Sequence, residues 1–271
     1  YSRKMRPQDR DVLLRWVEGG APAGDPLAPP RNDIPPKEPV EWPHGNLKLD
    51  AGAAYKPNPR ASDDYRCFVV QSELLADTYV QAGMVQPDQV DMVHHIVIFQ
   101  VPPEVAPQVR ALERQNQDGQ VGYDCFGGVG TVGDTRVLLT WAPGSVPLRF
   151  PSGTAVKVSA GSLVVMQAHY NLLNNHGAAD RTRAELEVSA TPPQREAQIW
   201  PMANPSGLFV KAGDAHGKQI ITLPVAILQS YYKMPQGDIL VYGNGPHMHQ
   251  HGTRVVTSVE DGPILLEIPR W

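Results

Sequence analysis

DMVHHIVIFQV, residues 91–101, is a strongly apolar stretch of the chain. Its short run of Val, Ile and Phe is rich in β-branched and aromatic residues, which is typical of a buried β-strand. Five further stretches have the same character and end at Pro, Gly, Asn or Asp: YRCFVVQSEL (65–74), TRVLLTWA (135–142), TAVKVSA (154–160), SLVVMQAHYNLL (162–173) and AELEVSA (184–190). The chain is therefore expected to be all-β from about residue 61.

A second group of expected strands follows TPPQ, residues 191–194, which is the candidate domain boundary. This group comprises KQIITLPVAI (218–227), GDILVYG (237–243), TRVVTSVE (253–260) and PILLEI (263–268). The pattern predicts two tandem, jelly-roll-like β-sandwich domains. The first would span residues 61–191, and the second, spanning 192–271, would be incomplete.

The chain before residue 61 has a different character. PQDRDVLLRWVEGGAP (7–22) predicts a short helix, because its apolar residues fall on one face and two glycines end it. Residues 22–43 contain eight prolines, a density that favours an extended linker over sheet structure. The expected order is a helical segment over 1–21, a Pro-rich linker over 22–60 and then the sandwiches.

Composition excludes several kinds of partner. The 271 residues carry a net charge of −4 with Lys and Arg scattered along the chain, so a nucleic-acid partner is not expected. No apolar run is long enough for a membrane span. Cysteine occurs twice, at Cys67 and Cys125. From spacing alone, this pair fits either one disulfide in an oxidising compartment or two free buried thiols.

Histidines form the most informative pattern. His94 and His95 are adjacent in an apolar strand, where successive side chains point to opposite faces. Taken alone, the pair indicates one buried and one solvent-facing histidine; two ligands for one metal would need a β-bulge or a twisted strand end. His169, at the polar end of SLVVM, carries little signal by itself.

The stretch GPHMHQHG, residues 245–252, carries the strongest spacing signal. Residues i and i+2 of a strand share a face, so His247 and His249 can offer two imidazoles to one metal. His251 continues the alternation. Imidazole sites suit Zn, Cu, Fe or Ni, so spacing does not name the metal. His44, His176 and His216 lie in polar or proline-rich segments and are expected at the surface.

Sequence motifs of the commoner enzyme classes are missing. The chain contains no HExxH, CxxC or GxSxG motif and no phosphate-binding glycine loop. A metal site built from histidines is therefore the leading interpretation of the chemistry.

The order of the motifs resembles a known family. DDYRC, VHHIVIFQ, YDCFG, LLTWAPGSVPLRFPSG, VVMQAHYN and YYKM…GPHMHQHG follow one another as in the copper type II, ascorbate-dependent monooxygenases. This is the family of peptidylglycine α-hydroxylating monooxygenase and dopamine β-monooxygenase. The resemblance spans roughly residues 61–255, and it is specific because several weak motifs occur together in order.

The resemblance implies two copper ions, one in each β-sandwich, and O2 as co-substrate. The first copper, which passes an electron, would be held by His94, His95 and His169. The second, where oxygen binds, would be held by His247 and His249, whereas His251 has no implied role. Gln167 matches a glutamine that the family keeps beside the first copper.

The resemblance also implies a pairing of the cysteines. The family bridges a cysteine in a D-x-Y-x-C motif to one in the loop after the HH strand, and these positions match Cys67 and Cys125. A disulfide and an extracytoplasmic location, periplasmic or secreted, are therefore expected.

Two departures from the family stand out. Its oxygen-binding copper is completed by a methionine downstream of HxH, and no methionine follows His249 here. Met248 is no substitute, because in a strand its side chain points away from those of the histidines beside it. The chain is thus expected to be part of a longer protein. Gly245 stands where peptide-amidating members have an arginine, so a peptide ending in glycine is not the expected substrate.

A weaker resemblance concerns the start of the chain. KMRPQDRDVLLRWVEGGAP, residues 4–22, is similar to the end of a bacterial cytochrome c module, with Met5 near the axial-ligand position. The haem-attachment motif CxxCH is absent. An ordinary amphipathic helix explains the segment equally well. If the cytochrome interpretation holds, a haem c domain upstream or a partner cytochrome would supply electrons, either in place of ascorbate or together with it.

Three functions follow from these observations. The leading expectation is a copper monooxygenase that hydroxylates a C–H bond of a small organic substrate with O2 and a one-electron reductant. The alternative is a non-catalytic copper-binding or electron-transfer protein. A zinc hydrolase is weaker, because no carboxylate is placed as its base.

Overall fold

The computed structural model describes residues 5, 7–25, 45–71, 74–131, 133–173, 178–202, 209–246, 248 and 252–270. The elements in chain order are α1 (Pro7–Glu18), β1 (Leu47–Asp50), β2 (Asp63–Gln71), β3 (Thr78–Gln86), β4 (Val93–Val101), α2 (Ala106–Gln115), β5 (Tyr123–Asp124), β6 (Arg136–Trp141), β7 (Leu148–Arg149), β8 (Thr154–Val158), β9 (Leu163–Asn171), β10 (Arg183–Ser189), β11 (Arg195–Ala197), α3 (Val225–Tyr231), β12 (Val255–Ser258) and β13 (Ile264–Ile268). One compact unit lies within residues 37–202, and another combines parts of 1–36 and 203–271.

The larger unit is a β-sandwich. Its first sheet has six strands in the order β1-β10-β3-β8-β11, with β7 also paired to β3. Its second sheet has five strands in the order β5-β2-β9-β4-β6. All pairings are antiparallel except that of β11 with β8. The prediction of an all-β fold is confirmed.

Apolar side chains at alternate strand positions fill the space between the two sheets. In β9, every second residue faces this core: Val164, Met166, Ala168 and Tyr170. They pack with apolar residues of the first sheet, among them Leu49, Val80, Val156 and Leu186. At Gly83 of β3, a Cβ atom would lie 2.6 Å from Cδ2 of Leu186 on the paired strand β10 and 3.2 Å from Cδ2 of Leu139 in the other sheet, so glycine leaves room for both leucines.

A second, smaller core covers the outer face of the five-stranded sheet. Helix α2 contributes Ala106 and Val109, with Leu112 packed beside them. These residues lie against the alternate residues of β9, Leu163 and Val165. The sequence interpretation placed its only helix at the N-terminus and was wrong here. The apolar positions at intervals of three residues after the turn at 102–105 were the available signal.

The sandwich extends beyond the predicted limits of 61–191. Strand β1, inside the expected linker 22–60, pairs with β10, and Tyr55 forms a bridge with Asp180. At the other end, β11 lies past residue 191 and pairs with β8. The predicted limits were set where the proline-rich segments lie. Edge strands of three or four residues are too short to show a periodic pattern, so the sequence did not reveal them. Strand β3 was also missed, because Gln81 and Gly83 interrupt its apolar run.

The smaller unit contains α1, α3 and a hairpin of β12 with β13. Helix α1 has the predicted bounds and is followed by Gly20 at φ +86°; none of its residues is buried. The strand predictions for 218–227 and 237–243 were wrong: residues 225–227 open α3, and the rest have no regular structure. Pro224 interrupts the first stretch, and its fixed φ suits the start of a helix.

Candidate metal centre

The candidate site lies on the outer face of the five-stranded sheet, where three neighbouring strands meet. Central strand β9 presents Gln167 and His169 there, in alternation with the residues that face the inter-sheet core. On one side, Tyr65 of β2 lies opposite His169. On the other side, His95 of β4 lies opposite the same histidine. Cross-strand register therefore places three aromatic rings side by side.

A β-bulge brings the adjacent histidines together. The register of β4 against β9 shifts between Val93 and His95, so His94 is the extra residue. Val93 and Ile96 both enter the inter-sheet core, although they are three residues apart. A regular strand would send positions of odd separation to opposite faces. The bulge anticipated for a two-histidine site is present, and neither histidine is buried.

His94, His95 and His169 form a compact cluster. Each offers one nitrogen, and these nitrogens all lie within 4.8 Å of one another. The Nδ1 atoms of His94 and His95 are 3.2 Å apart. Two imidazole lone pairs repel at this distance, so a proton or a metal ion has to lie between them. The cluster could hold a metal ion.

His169 is the most constrained member of the cluster. It is 7% exposed, and its Nε2 lies 2.9 Å from Oδ1 of Asp63. Among the described residues, its buried Nδ1 has no hydrogen-bond partner. An unsatisfied buried nitrogen costs about 1–3 kcal/mol. If Nε2 donates its proton to Asp63, then Nδ1 carries the lone pair that a metal needs.

Electrostatics keep this histidine neutral. Burial lowers the pKa of His169, and the hydrogen bond to Asp63 only partly opposes that effect. The same hydrogen bond lowers the pKa of Asp63, which therefore stays ionised at neutral pH. Neutral imidazole is the form that binds metal ions.

Two residues of β2 contact His169 and hold its ring in place. Asp63 provides the hydrogen bond, and the ring of Tyr65 stacks on the imidazole with centroids 4.1 Å apart and planes 7° from parallel. Sequence interpretation used the D-x-Y-x-C segment only for Cys67. Because i, i+2 and i+4 share one strand face, the same segment could have predicted that Asp63 and Tyr65 lie beside the cysteine.

Cys67 and Cys125 form a disulfide, as the resemblance implied. Gln167, opposite Cys67 in the sheet, is buried and donates from Nε2 to the carbonyl of Gly128. The same Nε2 lies 3.6 Å from Sγ of Cys125. Gln167 thus ties the disulfide loop to the sheet two residues from His169, and the described contacts give it a positioning role.

A cavity of about 920 Å³ opens beside the supporting residues. Asp63 and Tyr65 belong to its lining, together with Asp64, Asp124 and Phe126. The ring of Phe126 meets that of Tyr65 edge to face, with centroids 4.9 Å apart. The cavity therefore borders the two residues that contact His169, and His169 itself is not part of its lining.

Arg66 fixes one wall of this cavity. Its side chain is fully buried and bonds Asp118 and Asp124, each at 2.7 Å. It also donates to the carbonyls of Val121, Gln120 and Gly122. This single guanidinium thus organises the loop that carries both carboxylates.

The second predicted metal site falls on residues that the structure does not describe. His247, His249 and His251 lie outside the described residues, as do His44 and His176. His216 is exposed, as expected. The second copper site therefore stays a prediction.

Comparison with known proteins adds no family. No protein-family model matches the chain, and no curated protein matches it significantly. None of the helices in the described part of the chain has the length and apolar character of a membrane-spanning segment.

Proposed function

We propose that the chain is a copper-dependent monooxygenase that hydroxylates a C–H bond of a small organic substrate with O2 and a one-electron reductant. The supporting observation is the convergence of His94, His95 and His169, with the buried Nδ1 of His169 lacking a partner among the described residues. A three-histidine cluster fits all three functions that the sequence suggests, and the motif order favours the copper enzyme.

The donor set fits copper. Three neutral imidazoles bind both common oxidation states of this metal, and a cluster without thiolate or carboxylate ligands is not selective for hard cations. Bound copper would supply reversible one-electron chemistry. Asp63 holds the tautomer of His169, and Tyr65 restricts the rotation of its ring.

The second copper of the proposal rests on sequence. His247 and His249 would hold it, and Gly245 argues against a peptide substrate that ends in glycine. Ascorbate or a cytochrome would supply the electrons. The disulfide Cys67–Cys125 supports an extracytoplasmic location, because such bonds persist in oxidising compartments.

Metal titration of the purified full-length chain tests the proposal. We expect copper to bind, and His169→Ala to remove one copper per chain. His216→Ala is the matched control, since His216 is an exposed histidine outside the cluster. Oxygen uptake that depends on both copper and reductant would support the enzyme. Zinc as the sole tightly bound metal would contradict the proposal.

A non-catalytic copper-binding protein is the second candidate. It is favoured by the observation that the three-histidine cluster is assembled entirely within the larger unit. One bound copper without oxygen uptake would identify it. A zinc hydrolase fits less well, because the carboxylate nearest the cluster, Asp63, already bonds His169.

A further inference from the structure

A continuous series of aromatic rings leads from the protein surface to the histidine cluster. Phe126 is 79% exposed, and its ring contacts that of Tyr65 edge to face. Tyr65 in turn stacks on His169, which lies 4.6 Å from His94 between ring centroids. An exposed phenylalanine adds nothing to a core. Phe126 lines the cavity, where its ring is available for contact with a partner.

Charge around this surface has one dominant sign. Four carboxylates line the cavity: Asp63, Asp64, Asp118 and Asp124. Two cations oppose them, namely Lys56 in the lining and the buried Arg66 beneath Asp118 and Asp124. These groups carry four negative and two positive charges, and the exposed Arg60, between the lining residues Pro59 and Ala61, reduces the excess of negative charge from two to one.

We propose that the surface around Phe126 is the docking site of a one-electron donor protein with a lysine-rich face around its redox centre. The inference rests on the proposed function, which makes the metal at the three histidines redox-active. One electron leaves the donor and one is accepted at that metal; no bond forms or breaks, and no proton is transferred. Phe126 and Tyr65 bridge the distance between the donor and His169.

Charge complementarity selects this kind of donor. A negative surface with an apolar centre attracts a positive partner and orients it on encounter. Ascorbate, the reductant implied by the family resemblance, is an anion at neutral pH and is repelled by the same carboxylates. The cavity therefore favours a basic protein over ascorbate as the electron donor.

Binding to the metal-free, full-length chain tests the docking surface separately from the metal. The probe is a basic cytochrome c with a lysine-rich haem edge, measured by calorimetry at several salt concentrations. We expect binding that weakens as salt increases. Lys56→Glu should tighten it about threefold to tenfold, because one more charge on the cavity wall becomes negative. Phe126→Ala should weaken it.

The matched control is Lys48→Glu, the same charge reversal at an exposed lysine of β1 that is not part of the cavity lining. It should leave the affinity unchanged. Equal effects of Lys48→Glu and Lys56→Glu would mean that only net charge matters, which would overturn the docking site. Salt-insensitive binding, or no binding, would overturn it as well.

Reduction of the copper-loaded chain supplies the second measurement. Loss of the Cu(II) electron paramagnetic resonance signal after mixing with reduced cytochrome c should be slower in Phe126→Leu, which keeps apolar bulk but loses the ring. Dithionite should reduce both proteins equally. If copper does not bind, or if dithionite fails to reduce it, the proposed function is wrong. The binding measurements on the metal-free chain still test the docking site in that case. Equal rates for wild type and Phe126→Leu with cytochrome c would refute the aromatic path.

Discussion

Replacement of Asp63 by asparagine tests how the cluster is held. The carboxylate accepts a hydrogen bond from Nε2 of His169 at 2.9 Å, and its side chain is 46% exposed. Asparagine keeps an acceptor oxygen of the same size but removes the charge. We expect metal affinity to fall, because the tautomer of His169 with its lone pair on Nδ1 loses its charged partner.

The expected magnitude follows from the type of hydrogen bond. Bonds to a charged group contribute about 1.5–3 kcal/mol and neutral bonds about 0.5–1.5 kcal/mol, so the substitution costs about 1 kcal/mol in this half-exposed position. That corresponds to a loss of about fivefold in metal affinity. Asp63→Ala removes the acceptor as well and should cost about 10-fold to 100-fold, the range for partners of metal-ligating histidines.

Competitive copper titration at fixed pH measures both variants. Asp64→Asn is the control: it makes the same charge change one residue away, where the carboxylate accepts bonds from Tyr55 Oη and the amide of Asn58. Thermal unfolding of the metal-free proteins shows whether folding is intact. If Asp63→Asn and Asp64→Asn lower the affinity equally, the effect is long-range charge, and the role given to Asp63 is wrong.

Three further predictions concern stability, each measured by urea unfolding of metal-free protein. Arg66→Met should cost about 3 kcal/mol, the low end for a broken buried ion pair, because Asp118 and Asp124 remain partly hydrated. The Arg66 hydrogen bond, together with those from the Gln120 amide and the Asn116 side chain, lowers the pKa of Asp118 to about 2. The ionised carboxylate of Asp118 therefore stabilises the fold fully above about pH 5 and progressively less as the pH falls through 2, and Asp118→Asn should remove that acid-sensitive part. Replacing Cys67 and Cys125 together by alanine should cost about 4 kcal/mol, since the bond spans 58 residues.

The strands predicted correctly are those with long apolar runs. Strands β4 and β9 each have nine residues, most of them apolar, and their type was evident from composition. Edge strands β1 and β11 have four and three residues. Their pairing depends on the neighbours that the rest of the chain provides, so no local pattern predicts them.

The three histidines of the candidate site were predicted before the structure was known, whereas the residues that contact them were not. His94 and His95 were visible as a pair, but their connection to His169 came from a family resemblance, since 73 residues of sequence separate His95 from it. Asp63 was not recognised, although strand alternation puts it on the same face as Cys67. Phe126 follows a cysteine in a glycine-rich loop, and nothing in that context predicts its contact with Tyr65.

The bulge at His94 reconciles two demands on one strand. The inter-sheet core needs Val93 and Ile96, which a regular strand cannot place on one face because their separation is odd. The cluster needs two adjacent histidines on the other face. One extra residue satisfies both, because it lets the alternation restart at His95 opposite His169. An ordinary strand would leave His94 directed toward the core, where an unpaired imidazole is costly. The adjacent pair therefore becomes a two-nitrogen site through backbone geometry, and a strand of the inter-sheet core also supplies two of the three histidines of the candidate centre.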